Sequence, residues 1–219
     1  YGNIKFAKIK TSNEKKLDFS FLEKVKNRKI WCAASTHASE EIFCAKTHLE
    51  LKKTYKNILT IIVPRHINRT QTILKDLSAL NLKIQLYSNW EQIDEKTDII
   101  LVDSYGETLK LYNISKCVLL GKSLINHLKN DSGQNPIEAA RLGCKIFHGP
   151  NISNFLDVYE YLKSLGITKT IRNPEDLSQS IVEELKNNKK IEQEVLKKLE
   201  NYGQNTLNNV LNEIKIYIN

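Results

Sequence analysis

The sequence predicts an α/β protein, a doubly wound parallel sheet followed by a C-terminal helical tail. Short apolar runs alternate with helical patterns up to about residue 172, at a spacing typical of a parallel sheet with helices on both faces. After Asn173 strand-forming residues become rare and helical patterning continues nearly to the end. The loops after several apolar runs are rich in small, hydroxyl and charged residues, which predicts a ligand-binding rim at the carboxyl ends of the strands.

The strands are assigned from apolar runs bounded by polar loops. Alternation over Ile4–Ile9 predicts an opening strand, followed by a connector up to residue 20. The central strands are expected at Lys29–Ala34, Asn57–Val63, Lys83–Tyr87, Asp98–Val102, Lys116–Leu120 and Lys145–Phe147, with an edge strand at Thr168–Ile171.

Helices are expected between these strands: from about Ser39, over 68–80, around Leu109 and Tyr112, after Asn135, and over Ser153–Leu165. In the first of them, Glu40 and Glu41 at the start and Lys52 and Lys53 at the end suit the helix dipole. The tail begins cleanly at Asn173-Pro174, and Gly203 is the expected break in it.

Composition limits the classes of function. The chain has 219 residues and is 41% hydrophobic, enough to bury the core of one large domain or of one domain with an appendage. No apolar run approaches the roughly 20 residues that span a bilayer. The chain lacks methionine and opens at Tyr1, so we expect it to be a piece of a longer protein. Four cysteines lie far apart in apolar surroundings, which favours buried thiols in a reducing cytosol.

A formal net charge of +8 fits nucleic acid, an anionic membrane surface or phosphorylated ligands. The lysines are spread along the chain and aromatics do not alternate with them, so nucleic acid is not an expected partner. No Gly-x-Gly-x-x-Gly follows the first strand and no Walker loop occurs, which argues against a common dinucleotide or ATPase site. His48, His127 and His148 lack ligand spacing, so no metal site is predicted.

The stretch from Asp131 to Ala140 is the most informative. Asn135 is expected as the helix N-cap, Pro136 at the first helical position and Glu138 in the first turn, as in a capping box. One interpretation is simply a well-made helix start. The other is a sugar-nucleotide site, since free N–H groups favour an anion and Glu138 could accept hydrogen bonds from ribose hydroxyls.

Other strand ends support the second interpretation. Arg65 is a suitable phosphate partner because its guanidinium is a fixed charge with forked donors, although a surface arginine is the alternative. His66 could assist it or cap the next helix. Gly106 and Glu107 could offer backbone N–H groups to a nucleotide, or belong to an ordinary turn. His37 could approach a substrate or be structural.

Taken together, these loops resemble the carboxyl-terminal half of Kdo (3-deoxy-D-manno-octulosonic acid) transferases, bacterial glycosyltransferases of the two-Rossmann GT-B architecture. The ordered motifs that carry the resemblance are Gly2–Phe6, Ala33–His37 with Glu40-Glu41, Pro64–His66, Asp103–Glu107, Leu111-Tyr112, Gly121 with Ser123-Leu124, Gly133–Glu138, and Gly149-Pro150 with Asn154-Phe155. They cover roughly residues 1–165.

The resemblance implies that residues 1–172 form a Rossmann-like donor-binding domain for CMP-Kdo. Residues 173–219 would be helices packing on it or on a missing N-terminal domain. The implied donor contacts are Pro64, Arg65, His66, Tyr105, Gly106, Glu107, Ser123, Gly133, Gln134, Asn135, Pro136, Ile137 and Glu138. Ser35, Thr36 and His37 would form a substrate loop.

The resemblance also implies inverting transfer of Kdo from CMP-Kdo to the lipid A precursor, without a cofactor or a metal. The catalytic base, the acceptor groove and the membrane anchor would lie in the missing half, so no catalytic residue is expected in this chain. The whole enzyme would work at the cytoplasmic face of the bacterial inner membrane.

This sequence departs from the family pattern at Lys122, where the family has a second glycine, and at Ser132-Gly133-Gln134, where the family has Gly-Gly-His. Gln134 keeps a donor but loses an ionisable ring, and Lys122 adds a charge near the rim. Two alternatives remain open. One is another GT-B member, such as a UDP-sugar transferase or epimerase. The other is a non-catalytic nucleotide-binding or interaction module.

Overall fold

The computed structural model describes residues 17–125, 132–187 and 193–218, with side chains up to residue 215. The expected opening strand at Ile4–Ile9 lies outside the described residues, as do His127 and Asp131.

The described chain is built on one sheet of seven parallel strands, in the order β3-β4-β2-β1-β5-β6-β7. Their bounds are β1 Lys29–Thr36, β2 Ile58–Pro64, β3 Ile84–Leu86, β4 Ile99–Leu101, β5 Cys117–Leu120, β6 Lys145–His148 and β7 Thr168–Thr170. Ala33 pairs with Ile62 of β2 on one side and with Leu119 of β5 on the other. The winding direction therefore reverses at β1 and β5, which confirms the doubly wound prediction and defines the switch point.

The central strands form because their apolar runs are buried on both faces. Every residue of β2 is buried. Along β1, Cys32 and Ala34 contribute to the core on one face of the sheet, whereas Trp31 and Ala33 contribute to the core on the other. Helices cover both cores, as the sequence predicts.

The helices are α1 Phe19–Val25, α2 Glu40–Thr54, α3 Thr70–Leu77, α4 Thr108–Ile114, α5 Ile137–Arg141, α6 Leu156–Ser164, α7 Pro174–Lys186 and α8 Gln193–Ile218. Short 3₁₀ turns at Ile67–Arg69, Ser78–Leu80, Tyr87–Gln92 and Ser153–Phe155 join some of them to neighbouring elements. The start predicted for α7 is confirmed, because the Asn173 side chain accepts a hydrogen bond from the Asp176 N–H at 2.8 Å.

Three sequence predictions need correction. α5 begins at Ile137 with Pro136 as its N-cap, one residue later than expected, although Asn135 Oδ1 still accepts the Ile137 N–H at 3.1 Å. α8 continues through Gly203, where a break was expected; Gly203 is buried, and packing of the helix outweighs the low helix propensity of glycine. The connector expected up to residue 20 already enters α1, which begins at Phe19 and buries Phe21 and Val25.

All four cysteines are free and buried, as expected. Burial raises the pKa of each thiol, that of Cys144 to about 12. Within the described ranges, the structure contains no helix with the length and apolar character needed to cross a membrane.

Candidate functional site

The loops after β1 and β2 meet beside the switch point. The Arg65 N–H donates to the Thr36 carbonyl at 2.9 Å. The rings of His37 and His66 lie edge to face, with centroids 5.9 Å apart. These contacts bring together two groups of residues that the sequence places separately at the rim.

Arg65 and His37 differ in how they are held. The Arg65 guanidinium is exposed and has no hydrogen-bond or ion-pair partner among the described residues. His37 is partly buried, and its Nδ1 lies 3.0 Å from the Ser35 carbonyl. Burial lowers the pKa of His37, so its imidazole is neutral at physiological pH. The loops after β1 and β2 thus place the fixed charge of Arg65 on the same part of the rim as a neutral imidazole.

The two carboxylates of the loop after β4, Asp103 and Glu107, form hydrogen bonds with neighbouring residues of the chain. Asp103 accepts hydrogen bonds from the N–H of Ser88 at 2.9 Å and from its hydroxyl at 2.6 Å. Glu107 accepts the Tyr87 hydroxyl at 3.1 Å and the Lys110 ammonium at 2.8 Å. These bonds hold the loop in place.

The same loop presents Tyr105 and Gly106 to solvent. Tyr105 is 72% exposed, an unusual state for an aromatic side chain. Gly106 has φ of +85°, a conformation that suits glycine, and a Cβ there would meet no atom within 4 Å. The open space above Gly106 fits the predicted approach of a ligand to its backbone.

The loop after β5 is tightly built. Ser123 is fully buried; its hydroxyl donates to the Leu120 carbonyl at 2.6 Å and accepts the Gly149 N–H at 2.9 Å. The structure therefore gives the Ser123 hydroxyl a role inside the loop, and its predicted contact with a donor remains a prediction.

Gly133 joins the two parts of this region. Its N–H donates to the Lys122 carbonyl at 2.7 Å, and its φ is +86°. A Cβ at this position would lie 2.9 Å from the Ile152 Cα, so only glycine fits without displacement. The backbone carbonyl of Gln134 accepts the Tyr159 hydroxyl at 3.0 Å, which fixes the following turn against α6.

Residues 135–138 divide into a buried pair and two exposed flanking residues. Pro136 and Ile137 are buried, whereas Asn135 and Glu138 are exposed. Glu138 makes no hydrogen bond or ion pair to a described side chain, so its carboxylate is available to a ligand. The predicted rim residues thus divide into structural members and exposed members, the latter including Arg65, Tyr105, Asn135 and Glu138.

Two residues at the rim escaped functional assignment from sequence: Glu40 and Glu41, which are 1% and 2% exposed. Glu40 binds backbone N–H groups of the β1 and β5 loops, and Glu41 binds Arg69. Acidic residues in a first helical turn commonly serve the helix dipole in solvent, and no local sequence signal distinguishes a buried pair.

In the part of the chain that the structure describes, no three His, Cys, Asp or Glu side chains are grouped so that they could hold a metal ion.

No protein-family model matches the chain. A 3-deoxy-D-manno-octulosonic acid transferase of Haemophilus influenzae is 32% identical over 190 residues, which are 86% of this chain and 43% of that protein. The transferase of the same name from Aquifex aeolicus is 30% identical over 162 residues, which are 74% of this chain and 43% of that protein. The chain therefore spans less than half the length of these curated relatives.

Solved structures agree on the fold. The crystal structure of the C-terminal CMP-Kdo binding domain of WaaA from Acinetobacter baumannii superposes with a TM-score of 0.68 at 23% identity, covering 87% of this chain and 99% of that domain. An α,α-trehalose-phosphate synthase (UDP-forming) from Burkholderia vietnamiensis has a TM-score of 0.56 at 9% identity, covering 91% of this chain and 47% of that protein. The sheet is thus that of a GT-B carboxyl-terminal domain. By sequence and by fold, this chain belongs to the 3-deoxy-D-manno-octulosonic acid transferase family and corresponds to its carboxyl-terminal half.

Proposed function

We propose that this chain binds the sugar-nucleotide donor CMP-Kdo and forms the donor half of a Kdo transferase. The observation that carries the proposal is the exposed guanidinium of Arg65 beside the switch point, which has no partner among the described residues and lies on the same rim as the exposed Glu138. A doubly wound sheet binds its ligands at this place, and the relatives' name supplies the class of sugar.

In this proposal, Arg65 pairs with the cytidine phosphate and Glu138 accepts hydrogen bonds from the ribose hydroxyls. Tyr105 and the backbone of Gly106 line the nucleotide. When the glycosidic bond to phosphate breaks, negative charge grows on the departing CMP, and Arg65 stabilises it. The neutral His37 ring adds no charge near the sugar carboxylate.

In this proposal the rest of the reaction belongs to the amino-terminal half of the relatives, which this chain does not cover. The general base, the lipid A precursor as acceptor and contact with the inner membrane are all assigned to an N-terminal half. Residues 173–219 are assigned as helices that pack on the sheet domain or on that half. This chain alone is therefore expected to bind donor without transferring sugar.

The test is calorimetric titration of the chain with CMP, UMP and AMP. We expect CMP to bind most tightly, and Arg65→Ala and Glu138→Ala each to weaken it about tenfold, the loss expected for one charged hydrogen-bonding partner. Lys75→Ala and Glu160→Ala remove exposed charges of the same signs from the surfaces of α3 and α6, and serve as matched controls.

Equal affinity for the three nucleotides would remove the support for a cytidine donor. Selective binding of UMP would favour a UDP-sugar enzyme instead. If Lys75→Ala weakened CMP binding as much as Arg65→Ala does, and Glu160→Ala strengthened it, general charge rather than the rim would attract the nucleotide.

A further inference from the structure

Glu40 lies between the loops that flank the switch point. Its Oε2 accepts the N–H of His37 at 2.9 Å and the N–H of Lys122 at 2.8 Å. Its Oε1 accepts the N–H groups of Ser123 and Leu124, each at 3.1 Å. One carboxylate thus joins the loop after β1 to three consecutive amides of the loop after β5.

The three consecutive N–H groups of the β5 loop all face one carboxylate, and such a group of backbone donors forms a concave anion-binding site. In this chain the Glu40 carboxylate fills that site. No lysine or arginine in the described ranges pairs with it, so the backbone amides and the positive end of the α2 dipole compensate its buried charge. A ligand phosphate cannot occupy the same amides, which leaves it to the Arg65 side of the rim.

The backbone around Glu40 has little freedom. Ser35 and Lys122 both adopt positive φ, 55° in each case, and neither is glycine. A Cβ at Gly121 would lie 2.7 Å from Glu40 Oε2 and would also collide with the Ser35 carbonyl. The two loops are therefore fitted to each other around this carboxylate.

Glu41 makes the corresponding connection on the opposite side of β1. The Arg69 guanidinium donates to Oε1 at 2.9 Å and to Oε2 at 3.2 Å, a two-pronged ion pair. The Thr36 hydroxyl also donates to Oε1 at 3.0 Å. Glu41 thereby links the end of β1 to the segment that follows β2 and carries Arg65.

We propose that Glu40 and Glu41 are positioning residues of the donor site, which hold the loops after β1, β2 and β5 in their binding arrangement without touching the donor. The inference rests on the proposed function. Two adjacent carboxylates at the start of α2 act in opposite directions across the switch point, so that α2 sets the spacing between the cation at Arg65 and the β5 loop.

The experiment compares Glu40→Gln with Glu50→Gln, a control at the other end of the same helix whose carboxylate pairs with Lys53 near the surface. Gln has the shape of Glu but replaces one acceptor oxygen by an NH₂ group, which faces the backbone donors. We expect Glu40→Gln to weaken CMP binding about tenfold at a temperature where the variant is fully folded. We also expect faster hydrogen exchange of the amides at 122–124 and unchanged exchange in β2.

A role confined to general stability would lower the melting temperature without changing the affinity of the folded protein, and that result would overturn the proposal. If Glu40→Gln does not fold, Glu40→Asp keeps the charge but shortens the side chain by one methylene and withdraws the carboxylate from the amides at 122–124, and the same loss of CMP affinity is expected. Wild-type affinity in folded Glu40→Asp would then overturn the proposal.

The proposed function and the role of Glu40 can fail independently. The proposed function is wrong if the wild-type chain does not prefer CMP. In that case the exchange of the amides at 122–124 still decides whether Glu40 orders the β5 loop. Unchanged exchange in Glu40→Gln would contradict the inference, whatever the nucleotide result.

Discussion

His48 is a buried imidazole remote from the candidate site. Its Nδ1 lies 2.9 Å from the Thr60 hydroxyl and its Nε2 lies 3.3 Å from Asp98 Oδ1. Burial lowers the pKa of His48 to about 4, although Asp98 opposes the shift; the positive charges of Lys52 and Arg28 lower it further. The ring is therefore neutral in the folded protein at physiological pH.

This residue makes stability depend on pH. The folded pKa is below the unfolded value of about 6.5, so the unfolded chain takes up a proton first as the pH falls. The contribution of neutral His48 is complete above about pH 6.5 and is lost progressively towards pH 4, by up to roughly 3 kcal/mol. Denaturant unfolding between pH 7.5 and 4.5 measures this loss.

His48→Gln is expected to reduce the pH dependence, whereas His66→Gln, at an exposed position, is expected to retain it. The prediction is wrong if the two variants lose stability with the same slope.

Gly133 shows how one residue fixes a loop. In Gly133→Ala the alanine backbone must adopt positive φ, and its methyl group also meets the Ile152 backbone. We expect a loss of about 2–4 kcal/mol in the free energy of unfolding. In Gly166→Ala the alanine backbone also adopts positive φ, but its methyl group lies in open space, and a loss of only about 1 kcal/mol is expected. Equal losses in the two variants would show that the contact with Ile152 is easily relieved.

At the scale of elements, the central strands were predictable because burial on both faces requires uninterrupted apolar runs, as in Ile58–Pro64. The start of α7 was predictable because Asn173 and Pro174 have local effects. The course of α8 through Gly203 was not, since packing rather than propensity decides it. The same limit applies to the site. The place of Arg65 at the rim can be predicted because it directly follows a strand. The role of buried Glu40 cannot, because it depends on contacts with a loop about eighty residues away in the sequence.

α8 carries two kinds of apolar residue. Leu199 is 1% exposed and belongs to the core, and the neighbouring Tyr202 ring stacks on Tyr161 at 4.2 Å. Leu211 and Ile214, farther along, are 45% and 47% exposed. Leu199 and Tyr202 of α8 thus pack on the core, whereas Leu211 and Ile214 remain half-exposed.

Leu199→Ala is expected to destabilise the chain by about 2–5 kcal/mol, because it removes buried methyl groups and leaves a cavity. Leu211→Ala, the same change on the same helix, should alter stability by less than about 0.5 kcal/mol. Urea denaturation measures both. A large effect of Leu211→Ala would show that the second half of α8 is covered in the free chain.

At the scale of the whole molecule, the formal net charge of +8 creates a field that attracts anions. We expect CMP affinity to fall several-fold between about 0.05 and 0.5 M salt, while the affinity of uncharged cytidine stays nearly constant. Parallel titrations of the two ligands give the comparison. Equal salt dependence for CMP and cytidine would show that the phosphate is not bound through charge.

The four buried thiols can report how often the folded structure opens. Cys32 and Cys117 lie on neighbouring strands at the centre of the sheet, with Cys44 on α2 and Cys144 just after α5, so a labelling reagent reaches none of them in the native state. Modification must wait until the packing around a thiol opens, and its rate in excess reagent measures how often that happens. Variants of the rim could therefore be ranked for kinetic stability with a coloured thiol reagent, without introducing any probe.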